Sequence, residues 1–474
     1  MKHTFTILAL ALLSASLGAQ PPNVLFIAVD DLNDWIEPMG GHPQAKTPHL
    51  ARLARRSMLF ARAYTAAPAC NPSRAALMTG IAPYRSGVYR NNQAWRPAMR
   101  DAVTLPQAFM SQGYWAGGAG KIYHGVYPDP PSWDEYWPSK SQQRPADPTP
   151  AERPVNGIPE AGNFDWGTLN VDVGAMSDSK VADWVAGKLR ADHEKPFFLA
   201  CGIFRPHLPW FVPEKYLNRF PEETIQLPRV FNGDLQDVPG PGIRMANPGR
   251  DHARVVEHGQ WQGAVRSYLA SINFADDLIG RVLDALDESG HADNTVIVLW
   301  GDHGWHLGEK HHWRKFALWE EATRVPLLIS VPEGVPGLPE GTRGGSVSHR
   351  PVNLLDLYPT LLELAGLEAR GRLDGRSLVP LLRNPGLPWQ PTVTTYGRLN
   401  HAVRSEDFRY IRYEDGSEEL YDHLVDPMEW TNLAGDELYA ETLRELAAWL
   451  PQTNAPEAPE QPAGRRTNEV AVPR

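Results

Sequence analysis

The sequence predicts an α/β fold: a large, mostly parallel sheet sandwiched by helices, followed by a small C-terminal antiparallel subdomain. Three observations carry this expectation. Short continuous apolar runs at residues 23–29, 196–204, 295–300 and 325–331 read as strands buried on both faces, which have no wet side for alternate residues to occupy. Between the second and third runs, Tyr268, Leu269, Ile272, Ala275, Leu278, Ile279, Val282, Leu283 and Leu286 keep helical spacing up to Gly290. From about Leu387 the pattern changes to short alternating or aromatic segments at 392–396, 402–405, 408–413 and 418–421, separated by turns such as Glu414-Asp415-Gly416 and followed by a helix over 436–450.

Taken in order, residues 1–19 read as an export signal. Lys2 and His3 precede an apolar run at 5–13 that is too short to cross a bilayer, and the small residues Ser14, Ala15, Ser16, Gly18 and Ala19 follow. A mature chain is expected to begin near Gln20, in the periplasm or outside the cell. No later stretch has the length and apolarity of a membrane span. The sequence divides into a large domain over 20–386, the antiparallel subdomain over 387–451 and a Pro-, Ala-, Glu- and Gln-rich tail over 452–474 expected to be disordered. A net charge of −10 argues against nucleic acid as a partner, and it means that any anion site must build positive potential locally. With Cys70 and Cys201 the only cysteines, there is no disulfide framework.

In a parallel sheet ligands collect beyond the carboxyl ends of the strands, so the residues just past each run deserve the closest reading. The first run ends in Asp30 and Asp31, adjacent carboxylates that repel unless a hard divalent cation or hydrogen-bond donors compensate, although Asp31-Leu32-Asn33-Asp34 also suits a turn or helix cap. The third run ends in Asp302-His303. Between them, Pro72 suits the first turn of a helix that Ala75, Ala76, Leu77 and Met78 continue until Gly80 ends it. Cys70 then sits at the helix N-terminus, where free N–H groups and the dipole favour an anion, and Arg74 lies on the same face four residues on.

Cys70-Asn71-Pro72-Ser73-Arg74, followed by Leu77-Met78-Thr79-Gly80, resembles the signature of the sulfatase family within the alkaline phosphatase superfamily. The resemblance implies that Cys70 is oxidised by a formylglycine-generating maturation system to 3-oxoalanine, whose hydrate attacks sulfur. It implies one Ca2+ held by Asp30, Asp31, Asp302, position 70 and the neighbour of Asp302. That neighbour, His303, departs from the amide side chain of many sulfatases, and Asp-His at this point is similar to the iduronate-2-sulfatase branch. Within Gly120-Lys121-Ile122-Tyr123-His124-Gly125, Lys121 would bind the formylglycine hydrate and His124 would take its proton. In Phe204-Arg205-Pro206-His207, His207 would contact the sulfate and the leaving oxygen. Lys315 would bind sulfate, with Lys310 its rival for that role. The C-terminal strands resemble the small subdomain of the family, so the resemblance spans nearly the whole mature chain.

These residues imply hydrolysis of sulfate esters on a saccharide, for which Asn92, Trp95, Arg96, Trp210, His312, Trp313 and His401 offer ring faces and hydrogen-bond donors near the pocket. Alternatives are an arylsulfatase, a phosphonate or phosphate ester hydrolase on the same fold, or an exported saccharide-binding protein with an unmodified cysteine. His303, His306, His311 and His312 also read as zinc ligands of a two-metal phosphoesterase, but that reading leaves Cys70 and Arg74 unexplained. The sequence leaves open the sugar, the sulfated position and the oligomeric state.

Overall fold

The computed structural model describes residues 21–460 apart from Arg370. The expected export signal and residues 461–474 therefore lie outside the described residues.

All seven residues of the strand Asn23–Val29 are buried, because the sheet it belongs to is covered on both faces. Odd and even positions go to different layers, as the period of two requires. Leu25, Ile27 and Val29 pack in one core with the long helix Trp261–Asp287 and the helix Ser177–Leu189, while Val24, Phe26 and Ala28 pack in the other with the helices Cys70–Thr79 and Leu357–Leu364. A continuous apolar run is the sequence form of a strand with no solvent face.

The sheet has eight strands in the order Ser346–Ser348, Met58–Phe60, Leu327–Ser330, Thr295–Gly301, Asn23–Val29, Phe197–Ile203, Trp115–Gly120 and Glu135–Trp137. The last five of these run parallel, with Val29 level with both Gly301 and Ile203, and Gly120 level with Gly202. That register places the residues following Val29, Gly120, Ile203 and Gly301 at one edge. Two glycines make the edge tight. Gly120 has φ +83°, and a Cβ there would lie 1.9 Å from the Gly202 carbonyl oxygen; a Cβ on Gly202 would meet the Lys121 backbone at 2.4 Å.

The expected fourth strand is divided. Pro326 has no N–H to donate, so the run breaks into Arg324–Val325, which pairs with Ala63–Tyr64, and Leu327–Ser330, which joins the main sheet antiparallel to Thr295–Gly301. The C-terminal region forms a four-stranded antiparallel sheet of Thr392–Thr395, His401–Arg404, Phe408–Arg412 and Glu418–Asp422.

The tail expected to be disordered from residue 452 is ordered through its described part. Ala455 and Ala458 donate their N–H groups to the Tyr84 and Gly87 carbonyls at 2.8 Å, and the Tyr89 hydroxyl donates to the Ala455 carbonyl at 2.9 Å. Composition alone misread this segment, because its binding is mostly through backbone groups, to which side-chain polarity is no guide. Residues 452–460 thus run as a strap along residues 84–93, the segment that follows the helix beginning at Cys70.

Candidate active site

Cys70 is the first residue of its helix, and the helix ends at Gly80 in the left-handed conformation, φ 70°, which glycine adopts without strain. No side chain caps its start, but Asn91 Oδ1 accepts the Asn71 N–H at 2.9 Å. Asp30, Asp31, Cys70, Asp302 and His303 each offer a ligand atom, all within 4.8 Å of one another and all buried. Cys70 Sγ lies 3.3 Å from His303 Nε2 and 3.1 Å from Lys315 Nζ. Lys315 Nζ also bonds Asp31 Oδ1 at 2.7 Å, and Lys121 Nζ bonds Asp30 Oδ2.

Arg74 lies one turn below Cys70 and is fully buried. Its Nη2 bonds Asp30 Oδ1 and its Nε bonds Asp302 Oδ2, both at 2.9 Å, while Nη1 donates to the Lys121 and Ile122 carbonyls. One guanidinium therefore ties the ends of three strands to the signature helix. Burial opposes the charge on Asp30, but Lys121 and Arg74 outweigh it and hold its carboxyl well below the usual carboxylate range. Asp31 stands differently. Burial pushes it up to about 7 against the pull of Lys315, with repulsion from Asp30 adding to the rise.

The donor set fits a divalent cation. Asp31 Oδ2 is buried without a hydrogen-bond partner, and three carboxylates converge where a hard ion would compensate them; the imidazole of His303 and the thiol of Cys70 are the two donors calcium takes less readily. Asp31 also has φ +58°, a conformation that a non-glycine residue holds only where its surroundings enforce it. Tyr268 supplies part of that enforcement: its hydroxyl donates to the Asp31 carbonyl at 2.8 Å and accepts the Asn33 N–H at 3.1 Å.

His207 Nδ1 shares a hydrogen bond with the Leu208 carbonyl, which leaves Nε2 facing Asp31 Oδ2 at 3.9 Å. Burial, followed by Lys121 and Lys315, lowers its pKa well below the ordinary histidine value. His124 is lowered to about 3, chiefly by burial and next by Lys121, and its Nδ1 has no partner. Burial and the neighbouring lysines thus favour the neutral form of both imidazoles. Lys315 is delivered by a hairpin in which Leu307 pairs with Trp313; Arg314 and Phe316, on either side of it, have φ +79° and +76°.

The family profile described as Sulfatase matches residues 22–367, and the one described as N-sulphoglucosamine sulphohydrolase, C-terminal, matches residues 308–455. The chain belongs to the sulfatase family. It is an enzyme, a sulfuric ester hydrolase. It is 40% identical over 464 residues to a sulfatase of Formosa agariphila, covering 92% of this chain and 87% of that one. With the human iduronate 2-sulfatase it shares 32% identity over 389 residues, 74% of this chain and 70% of the other. Among solved structures it is similar in fold, with a TM-score of 0.72 at 23% identity, to a protein in complex with its substrate D-glucosamine-2-N,6-O-disulfate, over 90% of this chain and 96% of that one.

In this sulfatase the residues expected around the substrate divide sharply. Trp95 is buried, stacked on Tyr123 at 5.3 Å, and donates its indole N–H to the Tyr127 carbonyl. Arg96 is spent on Asp129 in a bidentate pair at 2.9 and 2.7 Å. Trp210 is fully buried among Trp166, Tyr268 and Trp305, and its N–H goes to the Pro206 carbonyl. His401 is buried between Thr395 and Asn454. Each of these four is held by partners within the protein, a role that proximity in sequence to a motif does not reveal. Replacing Trp210 or Arg96 by alanine should therefore lower catalysis on saccharide and aryl sulfates in equal proportion, with the loss tracking a reduced melting temperature, Trp210→Ala by about 3–5 kcal/mol.

Asn92 is exposed, outside the lining of the main cleft. His312 and Trp313 do line that cleft, a cavity of about 480 Å³, although His312 Nε2 is hydrogen-bonded to the Lys315 carbonyl and Trp313 to His252. Lys310 and Lys315 differ in position. Lys310 is buried against Asp234 Oδ1 at 2.6 Å and the Glu429 carbonyl, whereas Lys315 touches Cys70. The zinc reading falls as well. His312 bonds two carbonyls, His311 pairs with His252, His306 Nδ1 faces the Glu309 carbonyl, and among the described residues none of the three joins a metal-holding group. Sequence reasoning missed Tyr268, Arg90, Phe316, Tyr396 and Arg398, the last four of them in the cleft wall. No motif marks them, and only the folded chain brings them together.

Proposed function

We propose that this sulfatase hydrolyses sulfate esters on a saccharide, with formylglycine at position 70 as nucleophile and Ca2+ as cofactor, in the manner of iduronate-2-sulfatase. The observation that carries the reading is the placement of Cys70 at a helix N-terminus, 3.1 Å from Lys315 Nζ, beside three converging carboxylates. Converted and hydrated, position 70 supplies a geminal diol, one oxygen of which is the nucleophile; Cys70 Sγ marks where those oxygens lie. Asp30, Asp31, Asp302, His303 and position 70 would hold the cation, which supplies positive charge to sulfate oxygens.

The chain's own groups take the remaining roles. Lys315 and Lys121 neutralise sulfate charge, and Arg74 fixes the carboxylates from behind. His124, neutral and with an unpartnered Nδ1, accepts a proton from position 70 when sulfate leaves. His207 presents Nε2 to the leaving oxygen. It is neutral at rest; the charge of the incoming sulfate ester favours its protonation at Nε2 from solvent, and it gives that proton to the departing sugar oxygen while the proton of the attacking hydroxyl passes to the neighbouring Asp31 carboxylate. The saccharide assignment rests on the likeness to iduronate 2-sulfatase and on the open cleft beside Lys315. A host maturation system for Cys70 and an extracytoplasmic site of action complete the proposal.

Removal of metal tests it. Chelation should lower both turnover and melting temperature, because the carboxylates lose their compensating charge, and calcium should restore both. Restoration by zinc with calcium inert would contradict the proposal.

A further inference from the structure

The cleft beside Lys315 is cationic in a chain whose net charge is −10. Arg90, Arg244, Arg250, Arg314 and Arg398 line it, against the carboxylates of Asp251, Glu414 and Glu457. Arg314 is held by Asp251 at 2.6 Å, and Arg90 lies 3.4 Å from Glu457. Among the described residues, Arg244, Arg250 and Arg398 have no carboxylate within ion-pair distance. The cleft wall adjoins the reacting centre along the chain and through hydrogen bonds. Phe316 in its wall follows Lys315, His312 bonds the Lys315 carbonyl, and the Arg90 carbonyl accepts from Asn71 Nδ2 at 3.0 Å, next to Cys70.

Resting on the sulfatase reading, we propose that this cleft binds a second anionic group, a carboxylate or sulfate on the sugar next to the one being desulfated, and that Arg250 and Arg398 are its specificity-determining residues. Guanidinium groups without counter-charges, gathered in a concave site, raise the local concentration of polyanions and recognise planar or tetrahedral oxyanions through paired N–H donors. A neutral sulfated sugar, or a small aryl sulfate, would leave them unanswered. Glu457 has a defined part in this. The C-terminal strap sets it opposite Arg90, with Gln93 Nε2 3.3 Å from its Oε2, so the strap supplies an internal carboxylate at the rim that competes with the substrate anion.

The test uses a monosulfated disaccharide whose second sugar is a uronate, its uronate methyl ester, and a heparin-derived tetrasaccharide as a binding probe. The free uronate should exceed its ester in kcat/KM by about tenfold or more, a difference of roughly 1.4 kcal/mol. Arg250→Ala and Arg398→Ala should each bring that ratio towards one, and Glu457→Gln should raise it. The tetrasaccharide, titrated into the intact chain, should bind more weakly as salt rises and about tenfold or more weakly in the double arginine variant. Unchanged affinity in that variant, equal turnover of acid and ester, or a ratio lowered by Glu457→Gln would overturn the proposal. Salt-sensitive, arginine-dependent binding without turnover of any sulfate ester would defeat the proposed reaction while leaving the anion cleft standing.

Discussion

Replacing Arg74 by leucine should destabilise the folded protein by about 3–5 kcal/mol and abolish turnover even where the chain remains folded. The expected size follows from what is left behind. Asp30 and Asp302 are fully buried and each contributes an oxygen to this one guanidinium, so the variant would leave Asp302 without its guanidinium partner and Asp30 with Lys121 alone. Lysine at the same place should recover little, because a point charge cannot serve two carboxylates and two carbonyls at fixed angles. Urea denaturation together with turnover in the same preparations separates the two effects. A stable, active Arg74→Leu protein would show that the helix and strand ends are held by other means.

Lys315→Ala should lower kcat by about 10²–10³, the range seen when one preorganised donor is removed from an anion-stabilising site. Its ammonium bridges Asp31 Oδ1 and Cys70 Sγ, so it stands where charge develops during transfer of the sulfuryl group. Lys310→Ala provides the contrast. That side chain is tied to Asp234 and the Glu429 carbonyl, away from Cys70, so its loss should appear in melting temperature and not in kcat at a permissive temperature. A Lys310 variant with the larger catalytic defect would exchange the two roles.

Much of this was legible before folding, for identifiable reasons. The strand ends at Asp30 and Asp302 could be read because buried parallel strands leave uninterrupted apolar runs and the carboxylates sit where those runs stop, whereas Lys121 and His207 could be read only through the family resemblance. Cys70 and Arg74 could be read because helix geometry fixes their relation within a single turn. The outer site could not. Trp95, Arg96 and Trp210 belong to the right segments, yet each is turned inward to a partner, Tyr123, Asp129 or the Pro206 carbonyl, that lies beyond any local pattern. The cleft wall is assembled from chain segments as far apart as Arg90, Arg250, Phe316 and Arg398, and no periodicity links them. The strap at 452–460 was missed because a Pro- and Ala-rich sequence gives no account of the backbone partners that await it at Tyr84 and Gly87.

The most direct measurement is a mass spectrum of the peptide containing Cys70, taken from protein made in its native host and paired with turnover of a sulfate ester by the same sample. The account predicts an aldehyde, trapped by a hydrazine reagent, in place of the thiol, with activity proportional to the converted fraction and absent in Cys70→Ala. Full activity in a protein whose Cys70 is wholly an unmodified thiol would contradict it.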